Sequence, residues 1–228
     1  MRSAIISLAV AALCAPSFAV PSLPVGDVDL NYQGYSWEDY LGGGPGQAGN
    51  VLYGIGDIVK ILDGFGMEIY DPDDEGAEMT FYLADVVSQG AVATGPGVYH
   101  TQYAGGSVEI YFDTTPDYNP ATGPGSYTGV LDGLLWLSAD VVTFSTDFDS
   151  GAGQGSFLGT FQTTGGLAAA CFADMWTWGG SSSTSVPDCW TYHHSIIGDL
   201  NGTCVPEPGT LALLGTGLLG LIAVARKR

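Results

Sequence analysis

Lysine and arginine are almost missing from this chain. Of its 228 residues five are basic, and four of these, Arg2, Arg226, Lys227 and Arg228, sit at the two extremes. Lys60 is the single base between Val20 and Val205, set against 23 of the 24 carboxylates, which leaves that body at −22. Nucleic-acid affinity comes largely from basic side chains that displace counterions at phosphates. This surface therefore repels DNA, RNA and anionic lipid headgroups. Catalytic signatures are missing as well. No Gly-x-Ser-x-Gly elbow, His-Glu-x-x-His pair or Gly-x-x-x-x-Gly-Lys-Ser/Thr phosphate loop occurs, which points to a non-enzymatic protein without an organic cofactor. A comfortable membrane anchor is lacking too. The apolar run at 211–225 would span about 23 Å as a helix, short of a roughly 30 Å hydrocarbon core, and its glycines weaken it further.

Disorder is excluded by what is present. Hydrophobic residues make up 46% and aromatics 11%, enough to bury a sizeable core. The apolar residues come in short runs rich in Val, Ile, Tyr, Phe and Thr: 50–62, 78–87, 107–114, 134–146 and 156–164. Val108, Ile110 and Phe112 alternate with Glu109 and Tyr111, the two-residue period of a half-buried strand. Gly, Pro, Asp and Asn punctuate the runs, and ATGPG stands both at 93–97 and at 121–125, as suits turns used twice. One short helix is expected within 166–176. The fold class that follows is mainly β: a single antiparallel β-sandwich or jelly roll, acidic and glycine-rich, over residues 20–204.

Both ends are expected to be addresses. Residues 1–19 pair Arg2 with an apolar stretch and then Ser17-Phe18-Ala19, small at −3 and −1, as a signal peptidase requires; cleavage is expected between Ala19 and Val20. At the other end Val205-Pro206-Glu207-Pro208-Gly209 precedes the short Leu/Gly/Ala run and a final Arg226-Lys227-Arg228. This tail, 205–228, resembles the PEP-CTERM sorting signal of Gram-negative bacteria. The resemblance implies recognition by an exosortase and transient anchoring of a short transmembrane helix in the inner membrane. Cleavage near the Pro-Glu-Pro would follow, with delivery to the cell surface or extracellular matrix. It also implies a host that makes exopolysaccharide, hence a role in biofilm or floc.

Candidate sites in the body are few. Asp71, Asp73 and Glu75 alternate before Gly76 like the opening of a calcium loop, although Tyr82 stands where a bidentate Glu would close it; Asp147 and Asp149 form a poorer second candidate. After signal removal three cysteines remain, allowing three pairings in an oxidising compartment. The pairing Cys171–Cys189 is the one expected, because it closes the loop around GGSSSTS (179–185). His193 and His194 point to opposite faces if they lie on a strand, so they make a poor metal pair. Trp176, Trp178 and Trp190 could stack on sugar rings, which makes a carbohydrate-binding module the alternative function. A secreted hydrolase would need two converging carboxylates such as Glu68 and Glu109.

Overall fold

The computed structural model of the protein describes residues 21, 23–41, 44–120, 128–172, 175–185 and 193–205. The expected signal peptide, the second ATGPG and the tail beyond Val205 lie outside these residues. Among the described residues are ten strands and one helical turn: β1 (Gly26–Asp39), β2 (Val51–Asp63), β3 (Glu68–Tyr70), α1 (Pro72–Glu75), β4 (Glu78–Gly95), β5 (Val98–Ala104), β6 (Ser107–Asp113), β7 (Leu134–Asp149), β8 (Gln154–Gly165), β9 (Met175–Ser183) and β10 (His194–Cys204). The five strand-like runs of the sequence are β2, β4, β6, β7 and β8. The helix expected within 166–176 is absent among its described residues. Amides of Ala169 and Cys171 bond three residues back, to Gly166 and Ala168, so the stretch is a string of tight turns leading into β9.

The ladders are antiparallel throughout and belong to one sheet. Strands adjacent in sequence pair except β3 with β4 and β5 with β6, β10 returns to β1 from Gly26↔Cys204 to Ser36↔His194, and β2 pairs with β4. β5 and β6 run end to end as one stave, both against β4 on one side and β7 on the other. The break between them is Gly105-Gly106, both at positive φ (68° and 90°) where a side chain would be strained. The result is an up-and-down meander of eight staves closed on itself, with β3 as a short flap on β2. The expectation of two sheets packed as a sandwich or jelly roll is corrected here. Alternating polarity marks a strand with one buried face but says nothing of what lies opposite, another sheet or the far wall of the same one.

In the filled half inward positions are apolar, while the outer face mixes polar side chains with exposed apolar ones such as Leu158 and Ile197. On β1, Val28, Leu30 and Tyr32 are buried while Asp27 and Gln33 face solvent. Among the described residues no helix is long and apolar enough to cross a membrane. One half of the barrel is filled by Trp136, Trp176, Phe161, Met79, Ile110 and Leu30, each at most 2% exposed. Phe161 stacks on Trp176 at 4.7 Å. Phe172, from the turns after β8, closes that end by packing edge-on against Trp136 at 5.9 Å. Midway, Tyr32 reaches across to donate to the Gly179 carbonyl at 3.1 Å. Its hydroxyl fits because Gly180 and Gly198 carry no Cβ, which would collide with it.

Candidate functional site

Beyond Tyr32 the inward residues shrink. β1 continues with Gly34 and Ser36, β9 goes from Trp176 and Trp178 to Gly180, Ser182 and Thr184, and β7 ends through Thr146. Side chains of this size cannot fill a barrel of the same girth. The second half is accordingly a cavity of about 870 Å³. Its mouth lies among the turns that follow β1, β4, β7 and β9. Trp178 forms the floor, 2% exposed and set edge-on against Tyr32 at 5.3 Å and Phe81 at 5.1 Å. The walls are aromatic: Tyr40, Tyr99, Tyr103, Phe144, Phe148 and Phe157.

One carboxylate stands in this wall. Glu38 Oε1 accepts the Tyr103 hydroxyl at 2.9 Å, and Oε2 accepts the Gly46 amide at 3.0 Å and Asn50 Nδ2 at 3.2 Å. It thereby fixes the loop after β1 over the mouth. Burial, and then the Glu38 charge, push the Tyr103 hydroxyl well above the ordinary phenol range. His193 and His194 sit side by side on the opposite edge of β1. His193 Nδ1 accepts the Glu38 amide at 3.0 Å, and its ring stacks on Tyr40 at 5.1 Å. His194 packs edge-on against Phe148 at 5.1 Å, and its buried Nδ1 has no partner. Burial lowers the pKa of both imidazoles; the neighbouring His193 lowers that of His194 further. Both rings are thus held toward the neutral form, and the cavity wall carries negative charge with no lysine or arginine in it.

Other expected sites fare differently. Cys171 is bonded to Cys204, 33 residues on, instead of Cys189, which lies outside the described residues. The reason is topological: β10 brings Cys204 to the closed end, where the Val205 amide bonds the Cys171 carbonyl at 3.1 Å. Separation along the chain carries no trace of that approach. The calcium expectation is redrawn as well. Asp71 meets Asp74 and Glu68 beside the helical turn at 72–75, and the Asp73 side chain is outside those described. Glu68 is held there by Lys60 at 2.9 Å, and Glu75 is exposed. Of the second loop, Asp147 pairs with His100 at 2.8 Å and Asp149 caps its own turn by accepting the Gly151 amide. Glu109 accepts the Tyr111 hydroxyl and is not brought to Glu68. Trp176 and Trp178 are core, and Trp190 lies outside the described residues.

Sequence reading passed over two groupings. The first is the cavity; its signal was the run of small inward residues at one end of several staves, legible only once the facing of each strand is known. The second is Glu78, Asp113 and Asp132, whose carboxylates converge. Glu78 Oε2 accepts the Asp117 and Tyr118 amides, while its buried Oε1 has no partner. Burial raises the pKa of this carboxyl, with Asp117 and Asp113 adding to the rise and the two amide bonds opposing it.

In comparison with known proteins, residues 205–228 fit the family model of the PEP-CTERM protein-sorting motif. No curated protein and no solved structure matches the chain. The match covers Val205, Pro206, Glu207, Pro208, Gly209 and the closing Arg226-Lys227-Arg228, and such a motif implies processing by an exosortase and is consistent with export.

Proposed function

We propose that this exosortase-targeted chain is a non-enzymatic binding protein, displayed at the cell surface or in the extracellular matrix, where it takes part in exopolysaccharide-based biofilm or floc. The observation that carries the reading is the half-empty barrel. A closed sheet that packs one end with tryptophan and phenylalanine and lines the other with rings and hydroxyls leaves room for a ligand of drug or disaccharide size. Glu38, the carboxylate in that wall, is engaged by Tyr103, Gly46 and Asn50, which suits a structural more than an acid–base role.

The sorting motif also supports an orientation. β10 ends at Cys204 on the stapled, closed end, and the motif begins at the next residue. While the tail is held in the inner membrane, the closed end faces the bilayer and the mouth opens away from it. Outside the barrel, carboxylate groups such as Glu68, Asp71 and Asp74 would let divalent cations bridge the protein to anionic polysaccharide. A carbohydrate-binding module is the second reading. The exposed rings of Tyr40 and Tyr99 at the mouth favour it, because a glycan end entering the cavity would stack on them.

The test is titration of the processed protein, recovered from the cell surface, with the neutral dye Nile red. Saturable binding with one site per chain is expected, and Thr146→Trp, which fills the cavity, should abolish it. Equal binding by wild type and T146W, or none by either, would refute the binding reading.

A further inference from the structure

The cavity's charge and its rings together select among ligands. Among the described residues the single lysine or arginine is Lys60, on the outer face of β2 and paired with Glu68, so no fixed positive charge lies in the wall or at the mouth. An anionic ligand would enter a site that holds Glu38, in a protein of net charge −19, with nothing to neutralise it. A neutral ligand would gain from apolar burial alone. A cation gains twice, from the Glu38 carboxylate and from the π faces of the tyrosines near it, since an aromatic ring carries its negative potential on its faces. The lining also changes with depth, although Phe148, paired with Tyr99, keeps one apolar ring near the mouth. Glu38, Tyr40 and Tyr99 are near the mouth, whereas Phe144, Phe157 and Trp178 are at or near the floor.

We propose that the cavity takes an amphipathic organic cation, its apolar body seated on Phe144, Phe157 and Trp178 and its ammonium group lodged near Glu38 among Tyr40, Tyr99 and Tyr103. This deepens, and rests on, the reading of the barrel as a binding protein. A depth of polarity of this kind also explains why hydroxyl-bearing Ser36, Thr101 and Thr146 line the upper wall: they solvate the head group of a ligand whose tail is dry.

Displacement of bound Nile red from the processed protein separates the alternatives. The probes are 4-phenylbutylammonium, 4-phenylbutanol and 4-phenylbutanoate, which share a body and differ in charge, with cellobiose as a neutral sugar. The ammonium should displace the dye at a concentration at least tenfold below that of the alcohol, and the carboxylate should not displace it. Glu38→Gln should bring the ammonium to within about threefold of the alcohol. Because Glu38 also holds the loop after β1, Tyr99→Leu serves as a second variant that keeps the charge; it too should reduce the preference for the ammonium. Displacement by the alcohol or by cellobiose as effective as that by the ammonium overturns the assignment of a cation and leaves the binding reading standing. So does a preference unchanged in both variants. Failure of Nile red to bind in a T146W-sensitive way removes the binding reading itself, and the cation with it.

Discussion

Replacing Cys204 by alanine removes the cross-link between the turns after β8 and the last residue of β10. The bond closes a loop of 33 residues, and the chain-entropy relation puts its contribution at about 3.7 kcal/mol. For a body of this size each kcal/mol shifts the melting temperature by about 2–4 °C, so the variant should melt about 7–15 °C lower. Cys204 is 3% exposed, and its loss also leaves a small void near Phe172 at the closed end. The rival pairing, Cys171 with Cys189, would close a loop of 18 residues, worth about 3.2 kcal/mol by the same relation. The two schemes therefore differ little in size and wholly in which cysteine matters. Scanning calorimetry of wild type, Cys204→Ala and Cys189→Ala decides between them, with peptide mapping under non-reducing conditions as the direct check. A neutral Cys204→Ala beside a strongly destabilised Cys189→Ala would refute the β10 assignment. The staple matters for delivery as well, because it fastens the strand end from which the sorting tail departs. Unstapled protein should fray there, and its yield at the cell surface should fall.

Two further outcomes follow from titratable groups. Burial holds the His194 pKa below its ordinary 6.5, so the unfolded chain takes up the proton first; stability is full above that value and falls as pH descends through it. His194→Gln should therefore lose less stability than wild type between pH 7.5 and 5.5 in urea unfolding, by at most about 1.4 kcal/mol per pH unit, and parallel curves would refute the argument. Glu78 has the opposite sign. Its folded pKa is raised, so its contribution is complete below the ordinary carboxylate value of 4.5 and is lost as pH rises through the folded one. Without calcium, Glu78→Gln should raise the melting temperature at pH 7.5, by about 0.5 kcal/mol in stability terms, and the difference should vanish at acid pH. A destabilised E78Q under those conditions would be the contrary result. Adding millimolar calcium should raise the melting temperature of wild type more than that of E78Q if Glu78, Asp113 and Asp132 share an ion.

The sorting motif was fully legible because it is read as a linear string by another protein, and its order of Pro-Glu-Pro, apolar run and basic end needs no fold to be recognised. Strand content was legible for a similar reason: alternation within Val108–Phe112 and the short β-branched and aromatic run at 134–146 are local signals. The scarcity of bases, and with it the expectation that nucleic acid is not bound, is a matter of counting. Only the tertiary structure decided the rest. Closure of the barrel depends on β10 meeting β1 and on β2 meeting β4, pairings between segments whose sequences do not announce one another. The same closure brings Cys204 to Cys171 and converts small residues scattered over β1, β7 and β9 into one cavity. It also took the fold to bring Asp71 to Asp74 and Glu68. Sequence alone carried the sorting motif and the tendency to fold from strands. What those strands enclose was settled by long-range pairing, because enclosure is a property of the whole ring and of no single stave.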